Sequence, residues 1–185
     1  HLKISVIRTK VYKIRIVKNK IGGEIMKYTK MKIKDAFVVD LSPIGDSRGF
    51  FSRVFCQKEF IQNGLDPRVM QINNSYNKDK GTLRGLHYQL PPFQETKLVR
   101  VVRGSLWDVI VDLRQDSPTF GQWDAVTLTA EKRNMIMVPR GCAHGIITLE
   151  EDTEMLYFVS EHYAPQYERG LKWDDPKFDI KWPIE

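Results

Sequence analysis

The chain has 185 residues, 42% of them hydrophobic, enough for one packed domain and short for two. No run of about 18 apolar residues occurs, so no membrane-spanning helix is expected. The net charge of +6 suggests a nucleic-acid partner, but its distribution opposes one: residues 1–34 hold 11 of the 29 Lys and Arg and one of the 23 acids, which leaves a mildly acidic body.

The leading segment, His1 to roughly Gly23, alternates lysines with Val, Ile and Tyr. Such a pattern suits a strand, an amphipathic surface segment or a mitochondrial-type leader, and it lacks the apolar core of a secretory signal. Residue 1 is His, so Met26 or Met31 is the expected start. Residues 1–25 then form a basic extension outside the core fold, and 26–185 form a single domain. Two cysteines, Cys56 and Cys142, are too few for a disulfide framework and make no metal-like pair. A reduced, cytoplasmic setting is the default.

From Ala36 onward, short strand signals alternate with turn residues. Phe37–Leu41 ends at Ser42-Pro43, and Asp46-Ser47-Arg48-Gly49 is a turn before a strand at Phe50–Phe55. Gln57–Asn63 reads as a short helix closed by Gly64. Further strands are expected at Val69–Tyr76, Leu83–Gln89, Leu98–Arg103, Leu106–Leu113, Trp123–Leu128, Asn134–Val138, Gly145–Leu149 and Glu154–Ser160. The tail from Trp173 to Pro183 is broken by prolines and is expected to pack on the outside. This spacing predicts an all-β sandwich or barrel. No helix is long enough to cover a parallel sheet.

Chemistry points to Arg84-Gly85-Leu86-His87-Tyr88-Gln89 and to Lys97-Leu98-Val99-Arg100. A histidine among small and apolar residues, with cations nearby, suits removal of a proton next to a carbonyl on an anionic substrate. The competing view of His87 is a core histidine bonded to a backbone carbonyl. A metal site would need a second histidine on the same strand face, and Gln89 stands there instead. Arg84 and His87 have odd separation, so an ideal strand points them to opposite faces; a site using both needs a bend at Gly85 or a long Arg84 reaching over an edge. A second isolated histidine, His144, follows Pro139-Arg140-Gly141. Tyr157 is either core packing or a general acid. Tyr163, at a strand-to-loop boundary, either stacks on a base or is an ordinary loop aromatic. Arg48 either caps a phosphate or pairs with Asp46. No phosphate loop and no covalent-nucleophile signature appears.

Taken together and in order, these segments resemble the dTDP-4-dehydrorhamnose 3,5-epimerase family of cupin-fold sugar-nucleotide enzymes. The resemblance runs from about Lys34 to Pro183. It rests on Asp46-Ser47-Arg48-Gly49-Phe50-Phe51, Gln71-Ile72-Asn73-Asn74-Ser75, the His87 and Lys97 runs, Asp108–Arg114, Ser117–Gly121, Pro139–Gly145, Tyr157 and Trp173–Pro176. It implies a cupin-type jelly-roll β-sandwich with a few short peripheral helices. It also implies a homodimer in which an N-terminal strand crosses to the partner, with no cofactor and no metal. The implied reaction inverts C3 and C5 of dTDP-4-dehydro-6-deoxy-D-glucose. By resemblance, His87 is the base, Tyr157 the acid on the other face, and Lys97 the cation at the enolate oxygen. Arg48, Phe51, Gln71, Asn73, Arg84, His144 and Glu168 match substrate contacts, and Tyr163 matches the aromatic that stacks on thymine.

Two departures stand out. Arg53 occupies a position where the family usually has a carboxylate. The aspartate that usually orients the base histidine lies beyond the Trp-Pro segment, and this sequence stops at Glu185. Three readings are open: the chain is truncated, another carboxylate such as Asp108 or Asp175 serves, or His87 is a weaker base. Retention of His87 and Tyr157 favours double inversion over a mono-epimerase or a 3,4-ketoisomerase. The rivals outside these enzymes are an inactive sugar-nucleotide binder and a nucleic-acid binder with a basic arm.

Overall fold

Alternating burial along the strands sorts the chain into two facing antiparallel sheets. The computed structural model describes residues 26–184; the basic extension expected at 1–25 lies outside the described residues. The first sheet has six strands: β1 (Met26–Lys30), β2 (Phe37–Leu41), β5 (Gln71–Asn77), β7 (Lys97–Arg103), β10 (Met135–Val138) and β12 (Thr153–Val159), in the order β1-β2-β10-β7-β12-β5. The second has five: β6 (Leu83–Gln89), β8 (Ser105–Asp112), β9 (Trp123–Thr129), β11 (Cys142–Thr148) and β13 (Glu168–Gly170), in the order β13-β6-β11-β8-β9. A separate hairpin pairs β3 (Ile44–Asp46) with β4 (Gly49–Phe51). The architecture is the expected all-β jelly roll.

Three apolar layers hold it. Between the sheets, Val99, Val101 and Met155 meet Leu106, Ile110, Leu128 and Ile146. The outer face of the six-stranded sheet is covered by α1 (Gln57–Gln62), whose Phe60 packs with Leu65, Leu98, Met135 and Met137. Gly64 ends this helix at φ +71°, while the Leu65 N–H bonds back to the Phe60 carbonyl at 2.9 Å. The outer face of the five-stranded sheet is covered by the tail. Phe178, Ile180 and Trp182 pack on Leu86, Val109 and Trp107, and the Trp182 indole donates to the Trp173 carbonyl.

The structure moves several boundaries. The strand expected at Phe50–Phe55 ends at Phe51. β11 begins at Cys142 rather than Gly145, which places His144 within a strand. β1, β3 and β13 are additional. β13 exists because Glu168, Arg169 and Gly170 pair with Gln89, Tyr88 and His87 on β6. Among the described residues, no helix is long and apolar enough to cross a membrane.

Candidate active site

The two sheets part at one end, and each contributes a wall. On β12, Tyr157 lies opposite Asn73 of β5 and Val99 of β7, while Val159 lies opposite Gln71 and Lys97. Alternation therefore turns Gln71, Asn73, Lys97 and Tyr157 to one face. On the opposite sheet, His87 of β6 is paired directly with His144 of β11.

Arg84 joins them through a bulge. Its register partner is Ile146, so three steps along β6 match two along β11. The extra residue sits around Gly85, at φ +110°, and a Cβ there would lie 2.6 Å from the Gly145 Cα and from the His144 carbonyl oxygen. Two close-packed glycines thus let Arg84 and His87 line one cavity despite their odd separation.

The cavity has two lobes that share His87, Lys97 and Tyr157. One, of about 410 Å³, is lined also by Gln71, Asn73, Glu95, Tyr163 and Glu168. The other, of about 510 Å³, is lined also by Arg84, Gly85, His144 and Met155.

Polar contacts order these groups. His144 Nε2 lies 2.9 Å from both carboxylate oxygens of Asp108, which is fully buried on β8. Burial pushes the Asp108 carboxyl up, and His144 and Lys97 oppose that rise. The Arg84 Nε donates to Asn77 Oδ1 at 2.6 Å. Lys97 is ion-paired with Glu95. The Tyr157 phenol is raised, first by burial and then by the Glu95 charge, against a pull from Arg84. At the mouth, the Tyr163 hydroxyl donates to Glu168 at 2.7 Å, and the Tyr163 N–H donates to Gln71 Oε1 at 2.8 Å.

Gln89 has a structural use. Its amide nitrogen donates to the carbonyls of Phe93 (2.8 Å) and His162 (3.2 Å), and its oxygen accepts the Ala164 N–H at 2.6 Å. Among the described residues, no group of three or more His, Cys, Asp or Glu is arranged to hold a metal ion.

Nine of the eleven residues singled out from sequence converge on this cavity. Arg48 and Phe51 do not. They sit on the β3–β4 hairpin, exposed and away from both lobes within a single chain, and Arg48 pairs with Asp46 at 2.6 Å. Neither carboxylate suggested as a partner for His87 takes that role. Asp108 is occupied by His144, and Asp175 accepts the Lys177 N–H. No protein hydrogen bond reaches the His87 ring among the described residues. Arg53 is bonded to the buried Glu59 at 3.0 Å, away from the cavity. Sequence reasoning missed Glu95, although its even spacing from Lys97 was a usable signal.

The family model for dTDP-4-dehydrorhamnose 3,5-epimerase matches residues 30–185. The chain belongs to that family. The epimerase of Sinorhizobium fredii is 44% identical over 158 residues, covering 85% of this chain and 81% of the relative. Among solved structures, the Bacillus anthracis epimerase with TDP and PPi bound superposes with a TM-score of 0.84 at 40% identity, covering 86% of this chain and 91% of that one. A Legionella pneumophila 3,5-epimerase in complex with dTDP-4-keto-L-rhamnose gives 0.81 at 37% identity, covering 86% and 85%. Like its family, the chain is an isomerase with a jelly-roll fold.

Proposed function

We propose that the cavity inverts C3 and C5 of dTDP-4-dehydro-6-deoxy-D-glucose to give dTDP-4-dehydro-L-rhamnose, without a metal or organic cofactor. The observation that carries this reading is the placement of His87 and Tyr157 on opposite sheets, lining the same two lobes with Lys97.

The C4 ketone acidifies the hydrogens on both neighbouring carbons. His87 removes one from its side, and the electron pair moves into the C–C bond as charge collects on O4. Lys97 stabilises that oxyanion, an effect of about 3–4 kcal/mol for a preorganised donor. Tyr157 then delivers a proton from the other wall, inverting the carbon. Each positioned proton donor or acceptor contributes roughly 10²–10⁴-fold. The raised phenol suits this role, because Tyr157 stays protonated across the neutral range.

Gln71, Asn73, Arg84, His144 and Glu168 contact the sugar diphosphate, and the exposed Tyr163 ring stacks on the base. A second copy of the chain supplies Arg48 and Phe51. The hairpin that carries them exposes Ile44, Phe50 and Phe51, apolar surface that a homodimer would cover. Residues 26–185 form one domain. Its two free cysteines fit a reducing, cytoplasmic setting.

The test is incubation with the dTDP-4-keto sugar in D₂O, read by NMR. Deuterium at both C3 and C5, with His87→Ala and Tyr157→Phe both impaired, is the expected result. Deuterium at one carbon would establish a mono-epimerase instead. Nucleotide binding with no exchange would leave a binding protein.

A further inference from the structure

The resemblance gives no role to Glu95, yet this carboxylate lines the cavity with only 10% of its side chain exposed and is ion-paired with Lys97, itself 15% exposed. Its backbone is tightly held. Arg140 donates to the Gln94 carbonyl, to Asp66 at 2.8 Å and to the Ser160 hydroxyl at 2.9 Å. The Thr96 N–H donates to the same hydroxyl at 2.8 Å, and the Ser160 N–H returns a bond to the Thr96 carbonyl at 3.1 Å. Residues 94–97 are therefore a fixed part of the wall, and Glu95 is aimed by it.

We propose that Glu95 is a positioning residue of the reaction: its carboxylate fixes the Lys97 ammonium in the cavity and keeps a negative charge beside the Tyr157 wall. The proposal rests on the epimerase reading above. A lysine on four flexible carbons has rotamer entropy to lose before it can serve as a preorganised oxyanion donor. An ion pair formed in advance removes that freedom before substrate arrives. The spacing makes the pair a local device, since residues two apart on an extended segment project to the same side.

The second consequence falls on Tyr157. The charged or titratable groups around it are Lys97 and Glu95 on the β7 side, Arg84, His87 and Tyr88 on β6, and His144 on β11 with Asp108 behind it. Tyr163 and Glu168 stand at the mouth. Of these, Glu95 favours the neutral phenol and Arg84 the phenolate. Neutralising Glu95 therefore makes Tyr157 easier to ionise, and the acid on that wall is lost at lower pH.

The experiment compares full-length wild type with Glu95→Gln and Glu95→Asp. Tyrosine labelled with ¹³C at Cζ is titrated by NMR, and the Tyr157 resonance is assigned by its absence in Tyr157→Phe. The same proteins are then assayed across pH. For Glu95→Gln, the Tyr157 midpoint should move down, and the alkaline limb of kcat should move with it. kcat should fall about 10- to 100-fold from a misplaced Lys97, with KM changing less. Glu95→Asp should recover part of both effects. A Tyr157 midpoint unmoved in Glu95→Gln, or kcat within twofold of wild type, overturns the proposal. Because the NMR titration needs no turnover, a Tyr157 midpoint that moves in Glu95→Gln while wild type exchanges no substrate hydrogen would sink the epimerase reading instead.

Discussion

Replacing Gly85 with alanine tests whether the bulge on β6 builds the site. Gly85 sits at φ +110°, outside the conformations that an L side chain accepts readily. Forcing alanine there costs about 1–3 kcal/mol. The new Cβ would stand 2.6 Å from the Gly145 Cα and the His144 oxygen, where ordinary contact begins at 3.4 Å. Both obstacles are backbone, so the strands must separate by roughly 0.8 Å, an overpacking strain of about 1–3 kcal/mol. Together these come to about 2–6 kcal/mol; a value of about 4 kcal/mol with a slope of about 2 kcal/mol per molar lowers the urea midpoint by roughly 2 M. The displaced strands carry His87, Arg84 and His144. Misplacement approaching 1 Å should cut turnover by about 10²-fold in protein that remains folded. Urea unfolding followed by tryptophan fluorescence, and solvent-deuterium exchange at zero urea, give the two numbers. A Gly85→Ala variant with wild-type midpoint and wild-type exchange would show that the close approach does not determine the geometry.

Removing one partner of a buried polar pair should be costly elsewhere too. Asp108→Ala strands His144 and should lose about 3–5 kcal/mol at pH 7 by chemical denaturation, whereas a loss under 1 kcal/mol would mean that water replaces the carboxylate. Phe60→Ala should cost a similar 3–5 kcal/mol by emptying the layer under α1, yet leave kcat of the folded fraction unchanged because that layer is on the far side of the six-stranded sheet; a large kcat effect would contradict this separation. Asp112 is buried and accepts from Arg114, Ser117 and Thr119. Burial works to raise its carboxyl, but those bonds hold it well below the ordinary carboxylate range. A depressed folded pKa stabilises above the unfolded value and is lost as pH falls through the folded one. The stability gap between wild type and Asp112→Asn should thus be full at pH 7 and shrink below about pH 4, and a gap independent of pH would refute the assignment.

How far the sequence could be read depended on whether a feature was local. β6 was legible to the residue, because Leu83–Gln89 is bounded by clear turn signals. β13 was not, because Glu168-Arg169-Gly170 has no apolar alternation and becomes a strand only by pairing with β6. Ideal alternation puts Arg84 and His87 on opposite faces, and Gly85 marked where a bend could bring them together; that the bend is a bulge depends on what lies across the ladder, here Gly145. The Asp108–His144 contact joins residues 36 apart, so the sequence offers Asp108 equally to His87; only the β8–β11 register decides for His144. Arg48 and Phe51 carried a strong family signal, but nothing local says that they stand apart from their own chain's cavity.

Gln89 gives the cavity a fixed length. One side chain at the end of the His87 strand ties together the Phe93 turn and the loop that presents Tyr163. The point where a base would stack is thereby held at a set span from the point where a sugar carbon would lose its proton. A ligand satisfies both only if its two ends are the right distance apart, so the site works as a ruler. On the proposed reading it favours a sugar joined to its nucleoside through two phosphates.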